Sequence, residues 1–395
     1  MIYQKHCPGC FVNKSGLAVC PHCGYDESAP RSALYLPHGI VVGGQFRIGR
    51  VLGQPGGFGI TYLAWDVHLQ QRVAVKEYLP KALADRAGQS QDVRVLAAEQ
   101  EPRFREGLEH FLHEARVIAR LDHPNVVRVR SFFRANGTAY LVMDYYDGIS
   151  LGDYLTGLPG GRVDPQTAVR LLGPVLDGLQ FVHERGVVHR DIKPHNVYLA
   201  SGGRAILLDF GAAHQHAAEG GKAVMLSEGY APLEQYQRDA EQGPATDVYG
   251  VAATLYRMVL GAAPPAALDR MGDDPIEKPL ALDPPGFLAV LRKGLALRAH
   301  ERYASAAEFQ QALFRALDIA DSDATPTRAG VQVRRAQEPD TREYGAADLP
   351  TAPRGVPPSP ATAPEPASLR GATLIAAAIL LGAAMIAATL WIRLP

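Results

Sequence analysis

The chain has 395 residues, more than one ordinary domain needs, and 47% of them are hydrophobic, enough for a sizeable core. Its 40 Lys and Arg against 41 Asp and Glu leave a net charge of −1, which argues against a nucleic-acid-binding surface. All four cysteines lie near the start, and a long uncharged apolar run lies near the other end. The expected plan is therefore a metal-binding head, a globular middle and an apolar tail.

The opening MIYQKHCPGC is polar and Cys-bearing, so no signal peptide is expected. Cys7, Cys10, Cys20 and Cys23 form two C-x-x-C pairs separated by nine residues, which brings four thiolates within reach of one tetrahedral ion. Gly24 permits the turn that such a knuckle needs. A segment this short cannot bury a core, so metal would have to supply its folding energy. The expectation is a structural Zn²⁺ in a compact zinc ribbon over 1–28. Two disulfides are the alternative, and a cytoplasmic setting would disfavour them. Residues 25–44 read as a polar connector.

Phe46–Trp65 sets strand-like residues around a glycine cluster, Gly53, Gly56, Gly57 and Gly59 with Phe58 among them, and VAVK follows at Val73–Lys76. A glycine loop alone fits any hairpin. Residues 81–106 read as an inserted loop or extra helix. Leu108, Phe111, Leu112, Ala115, Ile118 and Leu121 recur at helical spacing, and Glu114 falls on their side, where a carboxylate needs a partner. Ala139–Tyr146 reads as a buried strand entering an exposed hinge, and Pro165–Arg185 as a helix.

The most informative stretch is Val187–Leu199, VVHRDIKPHNVYL, followed by Ile206–Gly211, ILLDFG. The apolar flanks Val187–Val188, Val197–Leu199 and Ile206–Leu208 read as short buried β segments. Asp191, Lys193, Asn196 and Asp209 then project from rigid turns, and they are the groups needed to hold metal-bound phosphates and accept a hydroxyl proton.

HRDIKPHN and DFG, in this order and spacing and preceded by the glycine loop and VAVK, resemble the catalytic and metal-binding loops of eukaryotic-type protein kinases. LGQPGGFGITYLA and GYAPLEQY are similar to the bacterial branch of the Ser/Thr kinases. The resemblance covers about 45–318 and implies an α+β, bilobal protein-kinase fold with a small β-rich N-lobe and a helical C-lobe. It implies ATP and Mg²⁺ as cofactors and protein Ser/Thr hydroxyls as substrates. Gly53, Gly56, Gly57, Phe58 and Gly59 would close over the phosphates, with Leu52 and Ala74 on the adenine. Lys76 would hold the α- and β-phosphates and pair with Glu114. Met143 would line the back of the adenine pocket or serve core packing alone, and Asp144 and Tyr145 would meet the purine edge. Asp191 would be the general base, Lys193 the neutraliser of the moving phosphoryl group, and Asn196 and Asp209 the Mg²⁺ ligands. Glu234 of APLE would pair with Arg302, and Asp247 would brace the catalytic loop.

Several departures from the family pattern stand out. Gln54–Pro55 lengthens the glycine loop by one residue, the stretch from Lys76 to Glu114 is long, and APLE carries one inserted residue. Tyr198 stands where an aliphatic adenine floor is common. Ser227 is the one Ser/Thr hydroxyl in Ala212–Tyr230 and aligns beside the base, so no usual phosphosite faces Arg190. Switching by the zinc head, by clustering in a membrane or by phosphorylation elsewhere is expected instead.

Residues 319–369 gain Pro, Ala, Asp and Thr and read as a disordered linker. Ala372–Ile392, between Arg370 and Arg393, would span roughly 30 Å as a helix, one bilayer core. A single transmembrane helix over 371–393 is expected, with small-residue faces that allow self-association. Six arginines upstream, Arg328 to Arg370, put the kinase side in the cytoplasm and the protein in the bacterial inner membrane as a tail-anchored chain.

Overall fold

The computed structural model describes residues 6–53, 57–86, 90–210, 226–237, 239–277 and 282–319. The head folds as two small turns, closed by isolated bridges His6–Asn13 and Val19–Asp26, with one cysteine pair on each. A buried Lys14 ties them together through Glu27 and the Leu17 carbonyl.

Strands β1 (Val41–Val42), β2 (Phe46–Val51), β3 (Gly59–Asp66) and β4 (Gln71–Tyr78) follow. The hairpin of β5 (Ala84–Arg86) and β6 (Val93–Val95) precedes helix α1 (Glu101–Ile118). Strands β7 (Val129–Ala135) and β8 (Thr138–Asp144) complete an antiparallel sheet of order β1-β2-β3-β4-β8-β7. β3 and β4 are rich in β-branched and aromatic residues, which suits a sheet covered on both faces. Side chains alternate along β4, so Ala74 and Lys76 share one face while Val75 and Glu77 take the other.

Two sequence expectations change here. The 25–44 connector is packed rather than solvated: Leu36 is fully buried, and its N–H donates to the Tyr62 hydroxyl at 3.1 Å. The 81–106 stretch is chiefly a hairpin, and α1 begins at Glu101, before the apolar stripe opens at Leu108. Phe104 already faces the sheet and extends that stripe by one turn.

Below the hinge come β9 (Gly148–Ser150), α2 (Leu151–Thr156) and α3 (Pro165–His183). Ser150 and Asp164 cap the two helices by accepting backbone N–H groups from Asp153 and Thr167. Strands β10 (Val197–Ala200) and β11 (Ala205–Leu207) join β9 in a second antiparallel sheet. Val187–Val188 form no strand, contrary to expectation. The Val187 N–H closes the end of α3 on the Val182 carbonyl, and the N–H groups of His189 and Arg190 go to a carboxylate, so no ladder can form. Helices α4 (Pro244–Leu260), α5 (Pro285–Gly294) and α6 (Ala306–Ala316) finish the lobe. α4 is buried on nearly every side and packs with α3 and α6 in the larger core. The His123–Val127 loop fastens the small lobe to this core: Val127 donates to Leu207 and Leu207 to Asn125, at 2.9 and 2.8 Å.

Among the described residues no helix is long and apolar enough to cross a membrane. The expected span 371–393 and nearly all of the 319–369 linker lie outside the described residues, as do Gly56 and most of Ala212–Tyr230.

Candidate active site

The roof of the cleft is the β2–β3 hairpin. Gly53 adopts a left-handed backbone, and Gly59 lies so close to β4 that a Cβ would meet the Glu77 carbonyl at 2.3 Å. Phe58 is 46% exposed at the tip, and its carbonyl accepts from Leu79 N–H, while that of Gly57 accepts from Lys81. Leu52 and Ala74 both pack into the larger core, Ala74 opposite Met143 across the β4–β8 register. Met143 is buried there. Asp144 pairs with Arg130, and the Tyr145 ring lies 5.0 Å beneath the Arg72 guanidinium. Arg72 also grips Asp147 through two bonds of 2.9 and 2.6 Å, which fixes the hinge to β4. Tyr198 donates to the Gly148 carbonyl at 2.8 Å, so its hydroxyl is satisfied within the protein.

The floor is the turn between α3 and β10. Asp247 on α4, which is buried, accepts the N–H groups of His189 and Arg190 at 2.8 and 2.7 Å and the His183 Nε2 proton at 2.7 Å. These donors hold its pKa below the ordinary value although burial pushes upward. They also stabilise Arg190 in a left-handed backbone, φ 68°, which an L-residue adopts only when its surroundings require it. The turn therefore presents Asp191, Lys193 and Asn196 together. Lys193 Nζ donates to Asp191 Oδ2 at 2.7 Å, and Asn196 Nδ2 donates to the Asp191 carbonyl at 2.7 Å and to Oδ2 at 2.9 Å. Ser227 donates to Asp191 Oδ1 and accepts from Lys193 Nζ, both at 2.8 Å.

Asp209 stands at the junction of roof and floor, with φ 52°, and its Oδ1 accepts from Lys76 Nζ at 2.7 Å. Burial opposes both charges, but Asp209 raises the Lys76 pKa and Lys76 lowers that of Asp209. Lys76, Asp209, Glu114 and Met143 line one small pocket. Glu234 and Arg302 form a buried bidentate pair at 2.6 and 2.9 Å, and Thr246 donates to Glu234 at 3.0 Å.

The expected pairing of Lys76 with Glu114 is replaced by Lys76 with Asp209. Two carboxylates compete for one ammonium, and that of Asp209 is the one within ion-pair distance. Among the described residues Glu114 keeps the longer-range pull of Lys76 and Arg190. Burial, with the charge of Asp209 adding to it, pushes its carboxyl up to about 7. That pKa lies above the unfolded value of 4.5. Between the two, the folded chain holds a proton that the unfolded chain has released, so this group's contribution to stability falls as pH rises through the window. Glu114→Gln cannot release that proton. Its melting midpoint should vary less than wild type between about pH 5 and 8, and parallel pH profiles would remove Glu114 from this role.

The sequence patterns give no separate role to His189 or Phe210. The buried His189 donates from Nε2 to the Leu208 carbonyl at 2.7 Å and accepts the Asp191 N–H at Nδ1, while its ring lies 4.6 Å from that of Phe210. It therefore links the two catalytic-type loops. A histidine opening a polar triplet between apolar runs was the available signal. Gln235, whose amide donates to the Arg190 carbonyl at 2.6 Å, left no signal in spacing or pattern.

A small curled-sheet lobe closing over a helical lobe, with lysine, amide and acidic groups gathered in the cleft between them, defines a bilobal protein-kinase fold. The family model for the protein kinase domain matches residues 46–277, and the chain belongs to that family. It is 32% identical over 340 residues to serine/threonine-protein kinase PknH of Mycobacterium tuberculosis, covering 82% of this chain and 48% of that protein. It is also 32% identical to serine/threonine-protein kinase pkn2 of Myxococcus xanthus, covering 70% of this chain and 33% of that one. The chain thus spans about half the length, or less, of these relatives. Among solved structures, the apo form of PpkA-294 matches with a TM-score of 0.62 at 33% identity, over 71% of this chain and 99% of that one. The PknI kinase domain of M. tuberculosis matches at 0.55 and 27%, over 72% and 100%.

Proposed function

We propose that this chain transfers the γ-phosphoryl group of Mg·ATP to Ser and Thr hydroxyls of proteins. The observation that carries the reading is the convergence of Lys76, Asp209, Asn196, Asp191 and Lys193, far apart in the chain, on one cleft under a glycine-rich roof. Asp191 orients the acceptor hydroxyl and takes its proton, and Lys193 offsets charge on the phosphoryl oxygens. Lys76 holds the non-transferred phosphates, for which it must leave Asp209. Asn196 and Asp209 suit a hard cation: the Asn196 amide nitrogen is committed to Asp191, which leaves its oxygen for the ion. Magnesium bound there supplies charge neutralisation at the phosphates. The Glu234–Arg302 pair holds the segment on which a peptide would dock.

The four cysteines suit a structural Zn²⁺. Tetrahedral coordination at ~2.3 Å would space the sulfurs by about 3.8 Å. The Sγ atoms of Cys7 and Cys23 are 3.6 Å apart, those of Cys10 and Cys20 are 3.8 Å apart, and all four lie within 4.8 Å of one another. The uncharged 372–392 run supports a tether in the bacterial inner membrane, with the kinase domain in the cytoplasm and self-association through the span.

The test is incubation of the full chain in lipid vesicles with γ-labelled Mg·ATP and a mixed protein acceptor. Label on Ser and Thr is the expected result. Nucleotide binding without transfer would instead identify a kinase-fold scaffold. Spinning down the vesicles from the same mixture tests the tether, which chain left in the supernatant would refute.

A further inference from the structure

The four-cysteine head does not hang free of the small lobe. It docks on the strand that forms the roof, at a point where that strand is irregular. β2 pairs with β3 at Ile48–Ala64 and again at Val51–Tyr62, with a register shift between them. Gly49 and Arg50 occupy the shift, a place where a bulge turns backbone groups away from the ladder. There the Arg50 N–H donates to the Pro8 carbonyl at 2.9 Å, and Arg50 Nε donates to the Gly9 carbonyl at 3.2 Å. Pro8 and Gly9 are the two residues between Cys7 and Cys10. Gly49 makes the approach possible, because a Cβ would meet the Pro8 carbonyl at 2.4 Å and the Phe11 ring at 2.9 Å. Phe11 adds a ring contact with Trp65 on β3 at 5.8 Å.

Arg50 also stands where β2 leads into the roof loop. Its positive charge also acts on the Tyr145 hydroxyl in the hinge, opposing the burial that raises that pKa. Leu52 and Gly53, which begin the roof loop, are two and three residues further along the chain. One residue therefore joins the cysteine knuckle to the strand that leads into the roof.

We propose that the cysteine knuckle sets nucleotide affinity through Arg50. When zinc holds Pro8 and Gly9 in place, their carbonyls fix Arg50, and Arg50 fixes the strand that leads into the roof. Loss of the metal unfolds the knuckle, frees Arg50 and loosens the grip on ATP. Arg50 is a positioning residue and touches none of the reacting groups. The inference rests on the zinc reading of the four cysteines. Because coupling between two binding sites is reciprocal, bound nucleotide must also tighten zinc by the same factor.

The full chain is assayed for zinc by elemental analysis, and a fluorescent ATP analogue is titrated in excess Mg²⁺ before and after a zinc-selective chelator. Stripping should weaken analogue binding on the order of tenfold, and returned zinc should restore it. The analogue should slow zinc transfer to the chelator. Zinc-loaded Arg50→Ala should bind the analogue weakly from the outset and respond little to stripping, with turnover at saturating ATP within about twofold of wild type. Stripped wild type of unchanged affinity overturns the coupling, as does Arg50→Ala that loses affinity on stripping as wild type does. Should stripping also melt the kinase lobe by circular dichroism, the zinc-loaded variant decides: wild-type affinity in Arg50→Ala overturns the proposal. A chain that neither carries nor takes up zinc overturns the zinc reading itself.

Discussion

Replacing Asp191 by Ala should lower phosphoryl transfer at saturating Mg·ATP by roughly 10²–10⁴-fold, while nucleotide affinity stays within about threefold of wild type. The split follows from where the carboxylate sits. Its Oδ1 accepts the Ser227 hydroxyl at 2.8 Å and its Oδ2 accepts from Lys193 and Asn196, so in the proposed transfer it would face the acceptor and the moving group. The nucleotide side of the cleft is held by a separate ion pair, Lys76 with Asp209. Asp191→Asn is the sharper control, because it keeps the shape and one acceptor oxygen but cannot take a proton. It should be as slow as Ala if proton transfer dominates, and faster if positioning does. A single-turnover measurement separates chemistry from product release. Undiminished turnover in both variants would end the assignment of Asp191 as base.

The parts of the site legible in the sequence are those whose chemistry is carried by short, local patterns. Asp191, Lys193 and Asn196 lie on one turn, and a turn between apolar runs announces itself. The strand lysine and the glycine hairpin are legible because period-two strands flank them. The rest depends on which of several possible partners lies nearest, and spacing does not encode that. Glu114 is legible as a carboxylate on an apolar face, yet its expected partner goes to Asp209. The connector misleads because its polar and Pro/Gly composition resembles solvated chain, while its two deeply buried residues, Leu36 and Val42, lie too far apart to show a period. Val187–Val188 fails for a related reason. A two-residue apolar run fits a strand or any buried turn, and the carboxylate of Asp247, about sixty residues away, decides which.

The second large effect falls on Glu77, a residue that no sequence pattern singles out. Glu77 and Arg86 have fully buried side chains and pair at 2.6 Å. Glu77 also accepts from the hydroxyls of Tyr140 at 2.7 Å and Tyr62 at 3.1 Å, while Arg86 Nε reaches the Leu34 carbonyl at 3.1 Å. One carboxylate thus bolts the β5–β6 hairpin and the 34–36 connector to the outer face of the sheet. Glu77→Ala leaves a guanidinium charge in a dry site and two tyrosine hydroxyls without an acceptor, a cost of about 3–5 kcal/mol. For a lobe pair of this size the melting midpoint should fall on the order of 10 °C. Removing both charges in Glu77→Leu/Arg86→Met should recover much of that loss, since an apolar pair of similar volume avoids the stranded ion. A single variant that loses less than about 1 kcal/mol would mean that water reaches the site and screens the charge. Glu77 directly follows Lys76, and alternation along β4 points the two side chains to opposite faces. The variant should therefore lose stability well before it loses nucleotide affinity, which separates the bolt on the outer face from the chemistry on the inner one.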